Sequence, residues 1–235
     1  MANPTRPDLI PFKICCMQSE AEIDLAAAAG AFAVGIVGPM PNGAGFLDDR
    51  TAARLARYGV DRYGDRLWVT LLTKRTHAAD IADHVAAIGA NAVQIVDQPE
   101  RGAHAFLRQR FPGLKIVQVV HVEDERAVSE AMACASEVDA VLLDSGRPSA
   151  ATPTFGGTGD RHDWSISRRI VESVSKPVFL AGGLNPQNAA EALSAVSPFG
   201  LDICSGLRDR AKGDALIHDR LHAFADALRR APSRA

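Results

Sequence analysis

Four places in the sequence have residue types suited to chemistry, and each follows a short apolar run. Cys15 follows Phe12-Lys-Ile14. In the bland reading it is a small core residue, because free Cys is commonly buried. In the functional reading it is a thiolate base or nucleophile with a lowered pKa. Asp144 follows Val141-Leu-Leu143. A carboxylate there is costly to bury unless it is paired or used, so it is either a loop-bracing cap or an acid. Pro177-Val-Phe-Leu-Ala-Gly-Gly-Leu-Asn-Pro186 reads as a buried strand, a turn at Gly182-Gly183, and a helix start with Asn185 as cap and Pro186 in its first position. Gly200-Leu-Asp-Ile-Cys-Ser-Gly206 repeats the pattern, with Ser205-Gly206 at its turn. Adjacent turns of small residues before helix N-termini expose N–H groups to an anion, which suggests a grip for a phosphate.

Other polar residues receive structural readings. Asp202 lies between apolar residues inside a strand and is expected to hold nearby backbone N–H groups. Asp97 and His121 end strands and are read as rim residues, and Cys134 in Ala-Met-Ala-Cys-Ala as core. Strand alternation puts Cys15 and Cys16 on opposite faces, so at most one faces a barrel centre. Phe155-Gly-Gly-Thr-Gly159 is either a hinge or a ligand-covering loop, with Gly156, Gly157, Thr158 and Gly159 as its candidate contacts.

The elements that would position these groups follow from periodicity. Strands are expected over Phe12–Met17, Phe32–Val37, Leu67–Leu72, Ala92–Val96, Leu114–Val120, Ala140–Leu143, Val178–Ala181 and Leu201–Cys204. Helical segments follow each of them, among them Glu20–Ala29 capped by Ser19, Asp49–Tyr58, Ala78–Ile88, Trp164–Ser173, Gln187–Val196 and His218–Arg229. Strands alternating with helices require parallel pairing with crossovers. Eight units in 235 residues is the count for a single-domain α/β (β/α)8 TIM barrel. An open doubly wound sheet is the runner-up, although the first strand lacks a following G-x-G-x-x-G. Residues 1–11 read as an N-terminal extension, 12–230 as the barrel and 231–235 as a frayed tail. In such a barrel functional groups cluster at the strand C-termini and phosphate sites follow strands seven and eight, which is where the two glycine turns fall.

Composition narrows the partners. A net charge of −2 gives no reason to expect nucleic acid or a membrane surface. No apolar run approaches the roughly 20 residues that span a bilayer. The polar, Pro-rich start lacks a signal-peptide core, so a cytoplasmic protein is expected. The four cysteines show neither metal-site spacing nor a disulfide framework.

Lys13-Ile-Cys15, Leu142-Leu-Asp-Ser145, Gly156-Gly-Thr-Gly159 with Asp163-Trp164, Leu180-Ala-Gly-Gly-Leu-Asn-Pro186 and Asp202-Ile-Cys-Ser-Gly206 occur in order. Together they resemble the phosphoribosylanthranilate isomerase family of tryptophan biosynthesis, from about Lys13 to Arg229. The resemblance implies an Amadori rearrangement of an N-substituted phosphoribosylamine, with Asp144 as general acid and Cys15 as general base. It further implies that Gly182, Gly183, Ser205 and Gly206 hold the phosphate of a small phosphorylated substrate. No metal or organic cofactor is implied, and the protein would act as a monomer or homodimer. Several positions depart from the family pattern. Gly38–Gly45 contains no basic residue where the family carries an Arg for the anthranilate carboxylate. Gln94-Ile-Val-Asp97 replaces Gln-Leu-His-Gly, Cys16 replaces Gly, Asp160 replaces Lys and Arg208 replaces Glu. The alternative is a divergent member acting on or binding a different small phosphorylated metabolite.

Overall fold

The computed structural model describes residues 9–39, 46–146, 162–209, 211 and 213–231. Eight parallel strands close into a barrel in sequence order: β1 (Phe12–Ile14), β2 (Ala33–Val37), β3 (Trp68–Thr73), β4 (Ala92–Ile95), β5 (Lys115–His121), β6 (Ala140–Asp144), β7 (Val178–Leu180) and β8 (Gly200–Ile203). Helices α1 (Glu20–Ala29), α2 (Asp49–Tyr63), α3 (Ala78–Ile88), α4 (Ala103–Arg110), α5 (Arg126–Ala135), α6 (Trp164–Ser173), α7 (Ala189–Val196) and α8 (His218–Arg230) follow the strands in turn. The expected architecture is therefore the observed one.

The strands are buried on both faces, which explains their near-continuous apolar sequences. Alternation sorts those residues into two cores. Val34, Ile36, Val69, Leu71, Val141 and Leu143 point outward and meet the helices. Ala33, Val37, Trp68, Leu72, Leu142 and Phe179 point into the barrel. At the end where the strands begin, Phe32 packs on Trp68, Phe179 and Phe199 with ring centroids 4.8 to 5.9 Å apart. Aromatic contacts of this kind contribute about 0.5–1.5 kcal/mol each beyond their buried area. They fill the barrel interior at that end.

The barrel closes where β1 pairs with β8, in the register Phe12↔Leu201, Lys13↔Asp202 and Ile14↔Ile203. That register corrects the reading of Asp202. Its carboxylate does not collect backbone amides. It accepts from Lys13 Nζ at 2.8 Å, and both side chains are buried. Burial opposes the charge on Lys13, but the adjacent Asp202 carboxylate prevails and keeps the ammonium protonated.

Local signals set several element ends. The Ser19 hydroxyl accepts from the Glu22 amide at 3.2 Å and starts α1, and the Asp163 carboxylate accepts from the Ser165 amide at 2.9 Å and starts α6. α2 runs to Tyr63, five residues past its expected end, because Tyr58 and Tyr63 both donate to the Asp24 carboxylate and fasten its last turns to α1. α7 begins at Ala189, two residues later than expected. Asn185 Oδ1 accepts the amides of Gln187 and Asn188 in a turn that precedes the helix. After β8, a 3-10 turn over Ser205–Leu207 leads into an antiparallel ribbon of β9 (Arg208–Asp209) and β10 (Ala215–Leu216), which the sequence patterns did not signal.

Candidate active site

Cys15, Asp144, Gly182 and Ser205 each follow or end a strand of one closed parallel barrel, so all four stand at the same mouth. The amide of Cys15 continues the β1–β8 ladder, donating to the Ile203 carbonyl at 2.9 Å. Its side chain points inward against Gly35, where an added Cβ would come within 2.9 Å of the sulfur.

The chain then bends. Cys16 has φ +66°, a left-handed conformation uncommon for a side-chain-bearing residue, and the Met17 amide rejoins β2 at the Gly35 carbonyl. Strict strand alternation therefore fails here. Cys16 joins Cys15 in the inner cluster, contrary to the opposite-face expectation. Cys204, two residues past Asp202, completes a group of three sulfurs, with its Sγ 2.7 Å from Cys16 Sγ.

These neighbours set the ionisation of Cys15. Hydrogen bonds from Cys16 and then Cys204, with Lys13 and Arg208 adding positive charge, bring its thiol well below the usual range despite burial. The bond to Cys15 raises Cys16 well above that range, so Cys16 remains a thiol.

Asp144 ends β6 beside His121, its register neighbour on β5. Burial pushes its carboxyl up, against the opposing pull of His121 and a hydrogen bond from the Ser145 amide. His121 Nε2 donates to the Val96 carbonyl at 2.9 Å, so its ring is anchored across β4. The mouth thus holds a buried acid biased toward its protonated form and a buried thiol biased toward its thiolate. Such a pair can donate a proton to one atom of a ligand and remove one from another.

The turns after β6, β7 and β8 pack edge to edge. Gly182 and Gly183 have φ +86° and +63°, and a Cβ on Gly182 would lie 2.7 Å from Ser145 Oγ. A Cβ on Gly206 would lie 2.1 Å from the Leu184 carbonyl oxygen, so only glycine lets the β8 turn approach the β7 turn so closely. Asn188 Nδ2 braces the same turn by donating to the Gly183 carbonyl at 2.9 Å. The loop bearing Gly156, Gly157, Thr158 and Gly159, and residues 40–45 of the loop after β2, lie outside the described residues.

Three supports of the site were not anticipated. The Lys13–Asp202 pair lies beneath it. Arg208 is buried, forms a two-point ion pair with Glu22 at 3.0 and 3.2 Å, and donates to the Cys15 carbonyl at 3.0 Å. Cys16 and Cys204 surround the sulfur of Cys15. The available signal was spacing: Lys13 with Cys15, and Asp202 with Cys204, share strand faces at i, i+2. Asp97 and His121 occupy the rim as expected, while Cys134 is only partly buried against the outer core.

A separate cavity of about 780 Å³ lies between the β4 and β5 ends and α4 and α5. Its lining includes Asp97, Glu100, Glu123, Asp124, Glu130 and Glu137, a carboxylate excess that repels an anionic ligand. Among the described residues, no helix is long and apolar enough to cross a membrane.

The sequence matches the family model for N-(5'-phosphoribosyl)anthranilate isomerase over residues 53–216. It is 36% identical over 198 residues to N-(5'-phosphoribosyl)anthranilate isomerase 2 of Methanosarcina mazei, covering 84% of this chain and 85% of that one. It is 34% identical to the N-(5'-phosphoribosyl)anthranilate isomerase of Haloferax volcanii, over 93% of both chains. Among solved structures, phosphoribosyl anthranilate isomerase from Thermococcus kodakaraensis superimposes with a TM-score of 0.75 at 25% identity, covering 93% of this chain and 98% of that one. Barrel, mouth and sequence agree, and the chain belongs to the phosphoribosylanthranilate isomerase family.

Proposed function

We propose that this protein catalyses the Amadori rearrangement of N-(5'-phosphoribosyl)anthranilate to the 1-amino-1-deoxyribulose 5-phosphate, with Asp144 as general acid and Cys15 as general base. The observation that carries the reading is the opposite bias of these two groups at one mouth. An acid must hold its proton and a base must have lost its own, and their surroundings favour those states. Asp144 protonates the furanose ring oxygen as the C1–O bond breaks and the nitrogen lone pair forms an iminium. Cys15 removes the C2 proton, and the electrons of that C–H bond neutralise the iminium to give an enaminol. Proton return at C1 and loss of the 2-hydroxyl proton give the ketone. The steps are one ring-opening C–O cleavage and proton transfers, with no electrons exchanged with an outside agent, so the sequence of steps calls for no cofactor. The relatives matched over most of their length carry the same isomerase name, which favours this substrate over a different phosphorylated metabolite. We read the protein as a cytoplasmic enzyme acting as monomer or homodimer. Expression in a tryptophan-requiring strain lacking this isomerase tests the assignment: growth without tryptophan supports it, and no growth despite soluble protein counts against it.

In this reading the amides around Gly183 and Gly206 hold the substrate phosphate. Inorganic phosphate should shift the amide resonances of Gly183, Ser205 and Gly206. Gly206→Ala, which must push Leu184 away, should weaken phosphate binding about tenfold or more, equivalent to roughly 1.4 kcal/mol. Unchanged affinity in Gly206→Ala would place the phosphate elsewhere.

The pH profile follows from the same two biases. Activity requires the Cys15 thiolate, so it rises as pH increases through a thiol pKa lowered chiefly by Cys16. It requires protonated Asp144, so it falls as pH increases through a carboxyl pKa raised by burial. Cys16→Gly suits the left-handed backbone and removes the main donor. It should move the acidic limb of kcat/KM to higher pH and leave the alkaline limb in place. A fixed acidic limb would separate Cys15 from the base.

A further inference from the structure

The barrel seam gathers more sulfur than the isomerisation uses. Cys15 and Cys16 follow β1 and Cys204 follows β8, on adjacent paired strands. Cys204 Sγ lies 2.7 Å from Cys16 Sγ, and both thiols hydrogen-bond Cys15. None of the three is in a disulfide. A disulfide needs a sulfur separation of about 2.05 Å. A small movement therefore closes the Cys16–Cys204 bond.

The chemistry of the trio narrows its purpose. Hydroxyl groups in place of Cys16 and Cys204 would also donate to the Cys15 thiolate. What thiols add is reversible oxidation. Among the described residues, no group of three His, Cys, Asp or Glu side chains is disposed to hold a metal ion. Cys204 is the most exposed of the three and stands at the barrel mouth.

We propose that Cys16 and Cys204 are a resolving pair that captures peroxide-oxidised Cys15 and stores the oxidation as a reversible Cys16–Cys204 disulfide. The Cys15 thiolate attacks hydrogen peroxide: an S–O bond forms, the O–O bond breaks and hydroxide leaves, giving the sulfenic acid. The Cys204 thiol attacks that sulfur, forming a Cys15–Cys204 disulfide and releasing water. Cys16 then attacks the Cys204 sulfur, its S–S bond forms, and Cys15 leaves as thiol. The Cys15 proton neutralises the hydroxide, so two thiols and one peroxide yield one disulfide and two waters. Without the pair, the sulfenic acid proceeds to sulfinic acid, which dithiothreitol does not reverse.

This inference needs only the thiolate character of Cys15 and not isomerase turnover, so the test reads mass rather than activity. Purified full-length protein is treated with hydrogen peroxide, alkylated and peptide-mapped. The wild type should show a Cys16–Cys204 disulfide that dithiothreitol removes, with Cys15 recovered as thiol. Cys134, lying apart in α5 and pushed up to about 11 by burial, should remain a thiol. Cys204→Ser should accumulate sulfinic acid at Cys15. Cys16→Gly, which fits its backbone, should stop at a Cys15–Cys204 disulfide. Wild-type Cys15 sulfinic acid forming as fast as in Cys204→Ser, or Cys16 and Cys204 both alkylated after peroxide, would overturn the proposal.

Discussion

Asp144→Asn should lower kcat on phosphoribosylanthranilate by on the order of 10²-fold to 10⁴-fold, the usual contribution of a positioned general acid. In barrier terms this is about 2.7–5.5 kcal/mol. Asn has nearly the same size and can still accept the Ser145 amide that now bonds the carboxylate. What it lacks is a proton for the departing ring oxygen. Asp144 is buried, and burying a neutral amide costs less than burying a carboxylate, so thermal stability should hold or rise. Phosphate affinity should not change, because the proposed grip lies in the turns after β7 and β8. An Asn variant with near wild-type kcat would remove Asp144 from the mechanism. One that is slow because it melts early would instead mark Asp144 as structural.

Cys15→Ser should cost a similar factor, on the order of 10²-fold to 10⁴-fold in kcat, for a different reason. Serine fits the site and can still accept from Cys16 and Cys204. Its hydroxyl does not ionise near neutral pH, so the C2 proton has no base to receive it. KM should change little, because in the proposed mechanism the sulfur acts on a carbon-bound proton rather than gripping the substrate. The acidic limb assigned to the thiol should also disappear from the pH profile. A kcat within a few-fold of wild type would exclude Cys15 as the base.

Much of this arrangement is legible in the sequence. The short apolar runs and the glycine turns mark which residues end strands, and barrel topology then forces strand ends onto one mouth. Cys15, Asp144, Gly182 and Ser205 follow from that reasoning alone. Where it failed, the cause was non-local or a broken backbone rule. Alternation assumes extended backbone, and Cys16 at φ +66° does not provide it. Local pattern points Asp202 to nearby amides, whereas its partner Lys13 is 189 residues away and becomes a neighbour only when the seam closes. Arg208 read as an oddity after a Ser-Gly turn. In the fold it ties Glu22 of α1 to the Cys15 carbonyl, which no local pattern encodes. The delayed start of α7 reflects competition between the Asn185 side chain and the helix for the same amides.

The most direct test of the central claim is conversion of phosphoribosylanthranilate, followed by product chromatography, with the wild type beside the Cys15→Ser/Asp144→Asn double variant. The account predicts sustained turnover by the wild type, and conversion by the folded double variant no faster than buffer. Turnover by the double variant at a rate near wild type, or none by the wild type, would contradict it.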